Sequence, residues 1–426
     1  MPIGFYESHR DFIHDVLWRV VQTAGKQGAT FLAFLIAAKL LTPFDFGIYN
    51  YLIAVILLLM VFGDFGISVA TSKFVAQFAE SDPARLRGVL ATASAIVAVC
   101  SGVLILAVAC AGPFFFGDRY VYVLALTPLL FLMPMTALYD GIYRGLRRFQ
   151  PLAIIACITG ALSIGMVYGL TRGYGLMGAL LAQDVFYALL LIALAAGYRG
   201  FAGRIDRHLI AELVRYAVLV GVANVGYYLY TRADIIILKH FGYVVEIGYY
   251  EIINRLFNVF IVPSVIVAQV LAPRITALAS RGDMAEIRRR LARYAGVVLV
   301  VFAVGAMISY PIFTYAIKRF LPEYAAPLMF QSLFLLMFLV PAKSWGAFLS
   351  QGFAVPAGHA HVLTITTLAG GLLNVVFDVV FIHYLGYIGA IWSTLVIHSA
   401  TIAITHWYFL RLLRRRIAGG DGHAVA

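Results

Sequence analysis

Apolar residues in this chain do not alternate with polar ones. They run in long continuous blocks separated by short polar breaks. Such blocks, about 20 residues or more, are each long enough to cross a hydrocarbon core about 30 Å thick as a helix. The pattern predicts an all-α polytopic membrane protein with twelve transmembrane helices. They lie near 20–41, 44–70, 89–116, 120–143, 150–172, 175–198, 213–240, 243–272, 293–317, 324–352, 360–384 and 386–411. A transmembrane β-barrel would need strands of about ten residues with alternating character, and these blocks are continuous instead. Ahead of the first span, Phe12, Ile13, Val16, Leu17 and Val20 share one helical face, the pattern of an amphipathic interfacial helix. Glu7, Asp11 and Asp15 intrude on that stretch, which is not the pattern of a signal peptide.

Composition sharpens this picture. The chain is 62% hydrophobic and 12% charged, with a mean hydropathy of +0.92, whereas a soluble domain carries about 25% charged residues. Its net charge of +12 is not a nucleic-acid signature, because the basic residues sit in short segments between spans. Even-numbered loops hold Lys73, Arg85 and Arg87; Arg144, Arg147 and Arg148; Arg199, Arg204, Arg207 and Arg215; and the cluster "RGDMAEIRRRLAR". Odd-numbered loops such as "LTPF", "RGYG" and "FGYV" are tight and poor in charge, with Lys318 and Arg319 the one basic pair. By the positive-inside rule both termini face the cytoplasm, which for this kind of protein means the inner membrane. Cys100, Cys110 and Cys157 fall within apolar blocks and read as small buried hydrophobes.

No loop is long enough to fold as a separate domain, and no Asp-x-Asp, His/Cys ligand spacing or nucleotide-binding glycine loop occurs. The sequence is therefore not that of an enzyme. "GDFG" at 63–66 lies within a span and carries no catalytic context.

The two halves repeat. "FDFGIYNYLIAV" (44–55) aligns with "VEIGYYEIINRL" (245–256), superposing Gly47 on Gly248 and Tyr49 on Tyr250. Later, "GYGLMGALLA" (173–182) resembles "LGYIGAIWST" (385–394) when the two are shifted by one position, superposing Gly175 on Gly386 and Gly178 on Gly389. Six spans per half is an even number, so the halves share one orientation about a pseudo-two-fold axis along the membrane normal. That is transporter architecture, with a central cavity between two lobes. The expected organisation is a six-helix lobe at 1–200 with the amphipathic helix, a cytoplasmic linker at 201–212, a second lobe at 213–413 and a disordered tail at 414–426.

At this point the chain resembles a known family. "AAKLLTPFDFGIYNYLIAVILLLMVFGDFGISVATSKFVAQF", "TRADIIIL…VEIGYYEIINRL…APRI" and "GYIGAIWSTLV" are similar to the signatures of Wzx-type oligosaccharide flippases. These belong to the multidrug/oligosaccharidyl-lipid/polysaccharide exporter superfamily, which also holds the lipid II flippases. The resemblance implies movement of a lipid-linked sugar from the cytoplasmic to the outer leaflet by alternating access.

Four basic residues lie inside spans: Lys26, Arg232, Arg255 and Lys343. A charge at bilayer depth costs about 2.5–3.5 kcal/mol even on lenient scales, so it needs a partner or a use. A polyprenyl diphosphate needs a cationic cavity, and arginine grips phosphate oxygens bidentately. Arg232 and Arg255 are the expected diphosphate ligands, with Lys26 and Lys343 adding field. Glu251 lies one turn before Arg255 and can neutralise it as an i,i+4 pair, a partnership a phosphate could replace.

Asp234 is two residues from Arg232, about 200° round the helix, so the two are not expected to pair. Asn374 and Asp378 share one face of span eleven. Counted along their helices, Asp234, Asp378 and Thr394 all lie about 12 Å below the outer surface. Two carboxylates, an amide oxygen and a hydroxyl at one level make a hard oxygen site, completed by the Ala390 carbonyl one turn before Thr394. The lipid II flippases are similar here: their sodium site uses an Asp of span seven, an Asn-x-x-x-Asp of span eleven and a Thr of span twelve. Alternatives are two carboxylates sharing a proton, which would give proton coupling, or a purely structural cluster.

The leading reading is thus a flippase for a polyprenyl-diphosphate oligosaccharide, working as a monomer among membrane lipids with glycosyltransferases and a polymerase as pathway partners, and with no cofactor beyond Na+ or H+. Its targets would be O-antigen, capsule or exopolysaccharide. A multidrug exporter of the same superfamily is the runner-up, disfavoured by four intramembrane cations. A membrane glycan polymerase or ligase is the third, disfavoured by the short loops. Tyr227, Tyr228 and Tyr230 are expected to pack or sit at the interface rather than stack on sugars. Asp64, Asp140 and Asp184 are expected at helix ends or interfaces.

Overall fold

The computed structural model describes residues 3–198, 203 and 205–418, and all its regular elements are helices. Capping residues in the short loops set their ends. In "LTPF" the Thr42 hydroxyl accepts the Asp45 amide at 3.1 Å, and Pro43 takes the first helical position, where its missing amide costs nothing. This separates α1 (Ile3–Leu40) from α2 (Pro43–Asp64). At "GDFG" the chain breaks, and Asp64 accepts both the backbone amide and the hydroxyl of Ser68, at 2.9 and 2.8 Å, to start α3 (Ile67–Phe78). The motif is a helix break inside span two, with Asp64 at a helix end. Asp82 caps α4 (Pro83–Phe116) in the same manner.

There follow α5 (Tyr120–Leu126), α6 (Leu129–Gly145) and α7 (Phe149–Gly197). Then come α8 (Arg207–His240), α9 (Val244–Ser280) and α10 (Met284–Phe320). α11 (Pro327–Met337) and α12 (Leu339–Leu349) are bent by 45° and end in a π turn at Ser350–Ala354. α13 (Ala360–Leu385) and α14 (Tyr387–Ala418) close the chain.

Among the described residues eight helical stretches are long and apolar enough to cross a membrane, or nine with the bent α11–α12 pair as one span. Two of the eight are double. The stretch through α4, α5 and α6 has 63 residues and α7 has 49, about 95 and 74 Å at 1.5 Å per residue, at least twice the hydrocarbon thickness. With α1 this gives the twelve spans read from the sequence.

α7 turns at Gly175 (φ 56°, ψ −134°), and α13 ends at Gly386 (φ 65°, ψ −152°), backbone that a side chain does not tolerate. Three residues on, a Cβ at Gly178 would lie 1.9 Å from the Leu170 carbonyl oxygen. At Gly389 it would lie 2.1 Å from that of Phe381. Each carbonyl is eight positions upstream, so one tight hairpin is built twice, on the glycines the repeat superposed. Gly178→Ala and Gly389→Ala must each push helices apart and are expected to cost about 2–3 kcal/mol. Gly165→Ala, which meets nothing within 4 Å, is expected to be near neutral. Thermal unfolding of the purified variants checks this, and equal stability of all three would contradict the shared hairpin.

The chain divides into two compact units, Met1–Val225 and Gly226–Ala426. The division therefore falls inside α8 and not in the 201–212 segment read as a linker. The reason is burial: Leu209, Leu213 and Ala217 of α8 are buried with Ile67–Phe78, Leu86–Val97 and Leu138 of α3, α4 and α6. In the second unit the core joins α9, α10, α12 and α14 around Phe348, Phe353 and Phe409. The predicted interfacial helix is continuous with the first span in α1. The side chains of Phe12, Ile13, Val16 and Val20 lie outside the described residues, and Leu17 is exposed. The tail starts later than expected, because α14 keeps Arg414 to Ala418 helical, and residues 419–426 lie outside the described residues.

Candidate functional site

Arg232 and Asp234, two positions apart on α8, take different partners on α9. The Arg232 guanidinium donates to Glu251 at 2.6 Å. Its side chain is 28% exposed and that of Glu251 only 2%, so the acid is enclosed while the arginine is partly exposed. Glu251 was expected to serve Arg255; the structure gives it Arg232 as an ion-pair partner. Arg255 follows one turn along α9, half-buried. Lys343 of α12 is half-buried, its ammonium 5.6 Å from the centre of the Phe257 ring. It lies within electrostatic reach of both Arg232 and Asp234. Lys26 belongs to the first unit, exposed on α1.

Asp234 is buried and accepts the Tyr250 hydroxyl. The same hydroxyl is 2.9 Å from the Thr394 hydroxyl on α14. On α13 the Asn374 amide nitrogen donates to Asp378 at 2.8 Å, across the single turn that the sequence spacing gives. Asn374, Asp378, Ala390 and Thr394 are all buried, and Asp378 lies within electrostatic reach of Asp234. Two oxygens lie outside these hydrogen bonds, Oδ1 of Asn374 and Oδ1 of Asp378, and the buried Ser393 hydroxyl lies within reach of the Asp378 carboxylate. Buried oxygens normally find a donor, so a pair of orphaned acceptors beside a second carboxylate is a place for a positive charge. The set therefore fits a small cation or a shared proton. Among the described residues no three His, Cys, Asp or Glu side chains group as a metal site. The donors here are two carboxylates and neutral oxygens, the ligand type of hard ions.

Tyr250 was not among the residues predicted for the site. Its only signal was its superposition on Tyr49. That equivalence is instructive, because the Tyr49 hydroxyl accepts from Gln183 at 2.7 Å, joining α2 to α7. In the register that places Gly175 on Gly386, Gln183 falls on Thr394, Ser163 on Asn374 and Val167 on Asp378. In the register that places Tyr49 on Tyr250, Asn50 falls on Glu251 and Ala54 on Arg255. The tyrosine cross-link belongs to both halves; the charges belong to the second alone.

Other intramembrane groups resolve simply. Tyr230 stacks on His398 with ring centres 3.9 Å apart, and His398 Nε2 lies 2.9 Å from the Tyr230 carbonyl oxygen. Tyr230 is thus a packing residue, Tyr228 is buried, and Tyr227 is exposed. Asp140 pairs with Arg144 at 2.8 Å and accepts the Gln22 amide at 3.0 Å. Both oxygens of Asp184 are buried without a hydrogen bond.

No curated protein sequence matches the chain. Its fold does have solved counterparts. A multidrug resistance transporter of the MATE family in the MOP superfamily, solved facing inward, is 14% identical with a TM-score of 0.81 over 94% of this chain and 99% of that one. A MOP superfamily transporter from Pyrococcus furiosus, described as having a binding pocket of reverse polarity, is 13% identical with a TM-score of 0.63 over 96% of each chain. A Vibrio cholerae MATE transporter is 12% identical with a TM-score of 0.66 over 95% of this chain and 97% of that one. At such identities the likeness shows the fold alone: a multi-pass membrane protein with two six-helix lobes. A sequence profile described as polysaccharide biosynthesis protein matches residues 12–279, more than half of the chain. The protein is therefore a member of the polysaccharide biosynthesis protein family, the one to which the Wzx-type signatures pointed.

Proposed function

We propose that the protein is a flippase. It moves a polyprenyl-diphosphate-linked oligosaccharide from the cytoplasmic to the outer leaflet of the inner membrane, for assembly of a cell-surface polysaccharide such as O-antigen or exopolysaccharide. The observation that carries this reading is the partly exposed Arg232, whose partner Glu251 is enclosed, with Lys343 within electrostatic reach. A diphosphate offers that fork the same bidentate oxygens as a carboxylate, with more charge. Arg255 on the same helix supplies a second grip, and Lys26 of the first unit adds field. The lobes alternate in access, both termini stay in the cytoplasm, and a monomer suffices. Glycosyltransferases complete the substrate before transport, and a polymerase takes it afterwards.

Asp234, Asn374, Asp378 and Thr394, with the Ala390 carbonyl, hold the coupling ion. A sodium ion there would offset one of the two buried carboxylate charges and satisfy the orphaned oxygens of Asn374 and Asp378; a shared proton is the alternative. The likeness to MATE transporters brings the multidrug exporter into view as a second reading. Its cationic substrates would meet like charge at Arg232, Arg255 and Lys343, which disfavours it.

The test is a mass-spectrometric inventory of lipid-linked intermediates in cells lacking the protein. One complete, unexported polyprenyl-diphosphate oligosaccharide is expected to accumulate, which also identifies the glycan. An unchanged lipid pool with new sensitivity to cationic drugs would transfer the protein to the exporters.

A further inference from the structure

We infer that Tyr250 and Glu251 form the element that couples the phosphate-binding arginine to the cation site, an inference that rests on the flippase reading above. These consecutive residues of α9 hold two residues of α8 that are themselves only two apart. Glu251 holds Arg232 at 2.6 Å, and Tyr250 donates to Asp234 while lying 2.9 Å from Thr394. Tyr250 thus contacts two of the candidate cation ligands, and its ring is buried with less than 2% exposure. It lies within electrostatic reach of the second carboxylate of that site, Asp378.

The hydroxyl proton directed at Asp234 carries positive charge to the oxygen a cation would take. Hydroxyl and cation therefore compete for that carboxylate, and a cation that uses both Asp234 and Thr394 must displace the hydroxyl from between them. Tyr250 cannot turn away freely, because the adjacent Glu251 ties the same helical turn to α8. A diphosphate that takes Arg232 removes that tie. It also leaves the Glu251 carboxylate, which acts electrostatically on Asp234, without its counter-charge. Both consequences favour a cation at Asp234. Conversely, a cation that displaces Tyr250 loosens the turn and eases the parting of Arg232 from Glu251. The effects must be equal in magnitude, as linkage requires.

The first half of the repeat supports assigning a latch to the tyrosine. Tyr49 receives Gln183 at the equivalent position, where Ser163 and Val167 stand in place of Asn374 and Asp378. Holding α2 to α7 there needs no ion. The tyrosine cross-link is common to both halves, and in the second half it also falls on Asp234.

The test uses the full-length protein purified in detergent, titrated calorimetrically with sodium chloride, with and without saturating undecaprenyl diphosphate. In the wild type the lipid should tighten the sodium Kd at least about fivefold, the lower edge of typical allosteric couplings. Tyr250→Phe should bind sodium without lipid more tightly than the wild type does, and its response to lipid should be smaller, because only the uncovered Glu251 charge is left to act. Glu251→Gln, which removes both the tie and that charge, should lose the lipid effect, and serves if the tyrosine variant does not fold. The inference is overturned if Tyr250→Phe keeps the full lipid effect, or if it binds sodium more weakly, which would make the hydroxyl a ligand. Lipid that leaves wild-type sodium binding unchanged or weaker also overturns it, with both sites standing. No sodium binding in the wild type would instead sink the cation reading, and an unaltered lipid effect in Arg232→Ala the diphosphate reading.

Discussion

Arg232→Ala is expected to abolish export of the surface polysaccharide while the protein still folds and inserts. The guanidinium offers two parallel charge-assisted hydrogen bonds to a diphosphate, each worth about 1.5–3 kcal/mol, so their loss corresponds to a fall of about 100-fold or more. Arg232→Lys keeps the charge and loses the fork, and should fall between the two, since an ammonium cannot reproduce planar bidentate contacts. The truncation also strands Glu251, an enclosed acid with 2% exposure, and an unpaired buried charge destabilises by about 3–5 kcal/mol. The double variant Arg232→Ala/Glu251→Ala separates these effects. It removes both charges, so it should regain membrane abundance and thermal stability without regaining export. Immunoblots of surface polysaccharide, set against the amount of inserted protein, provide the measurement. Normal glycan export by the single variant would end the diphosphate role.

The fold was legible because membrane helices announce themselves by continuous apolar blocks, and because the repeat exposed its own hinges. Gly175 and Gly386 were paired by sequence alone, and both take backbone angles that glycine tolerates. Asn374 and Asp378 were legible for a similar reason, since a spacing of four on a helix fixes a shared face whatever the surroundings. Partners on different helices were not legible. Nothing in the spacing of Glu251 and Arg255 reveals that Glu251 reaches across to Arg232 on α8. That depends on the angle at which two helices cross. Tyr250 escaped for the same reason, its partners being Asp234 and Thr394, 16 and 144 positions away. The division inside α8 was hidden too. An apolar stripe on Leu209, Leu213 and Ala217 looks the same whether it meets its own lobe or the preceding helices.

Asp378→Asn is expected to remove the ion from the C-terminal unit and to decide which ion it is. The substitution keeps the size of the side chain and leaves an oxygen to accept the Asn374 amide, now at 2.8 Å, so the α13 surface should survive. What disappears is one of two negative charges in a buried site where the compensation of a charge is worth about 3 kcal/mol. Sodium affinity should therefore fall about 100-fold. Thr394→Ala, which deletes a neutral oxygen, should cost about tenfold at most. If sodium is the coupling ion, wild-type export collapses when the sodium gradient is dissipated, and export by the Asp378→Asn protein is low and indifferent to sodium. If the two carboxylates share a proton instead, wild-type export follows the pH gradient at constant sodium, and the variant loses that dependence. Unimpaired export by the variant under all these conditions would leave the orphaned oxygens of Asn374 and Asp378 as a structural cluster. The lipid would then cross without an ion at Asp378. A graded loss across Asp378→Asn and Thr394→Ala, in that order, is the signature that a bound charge and not helix packing is what the site provides.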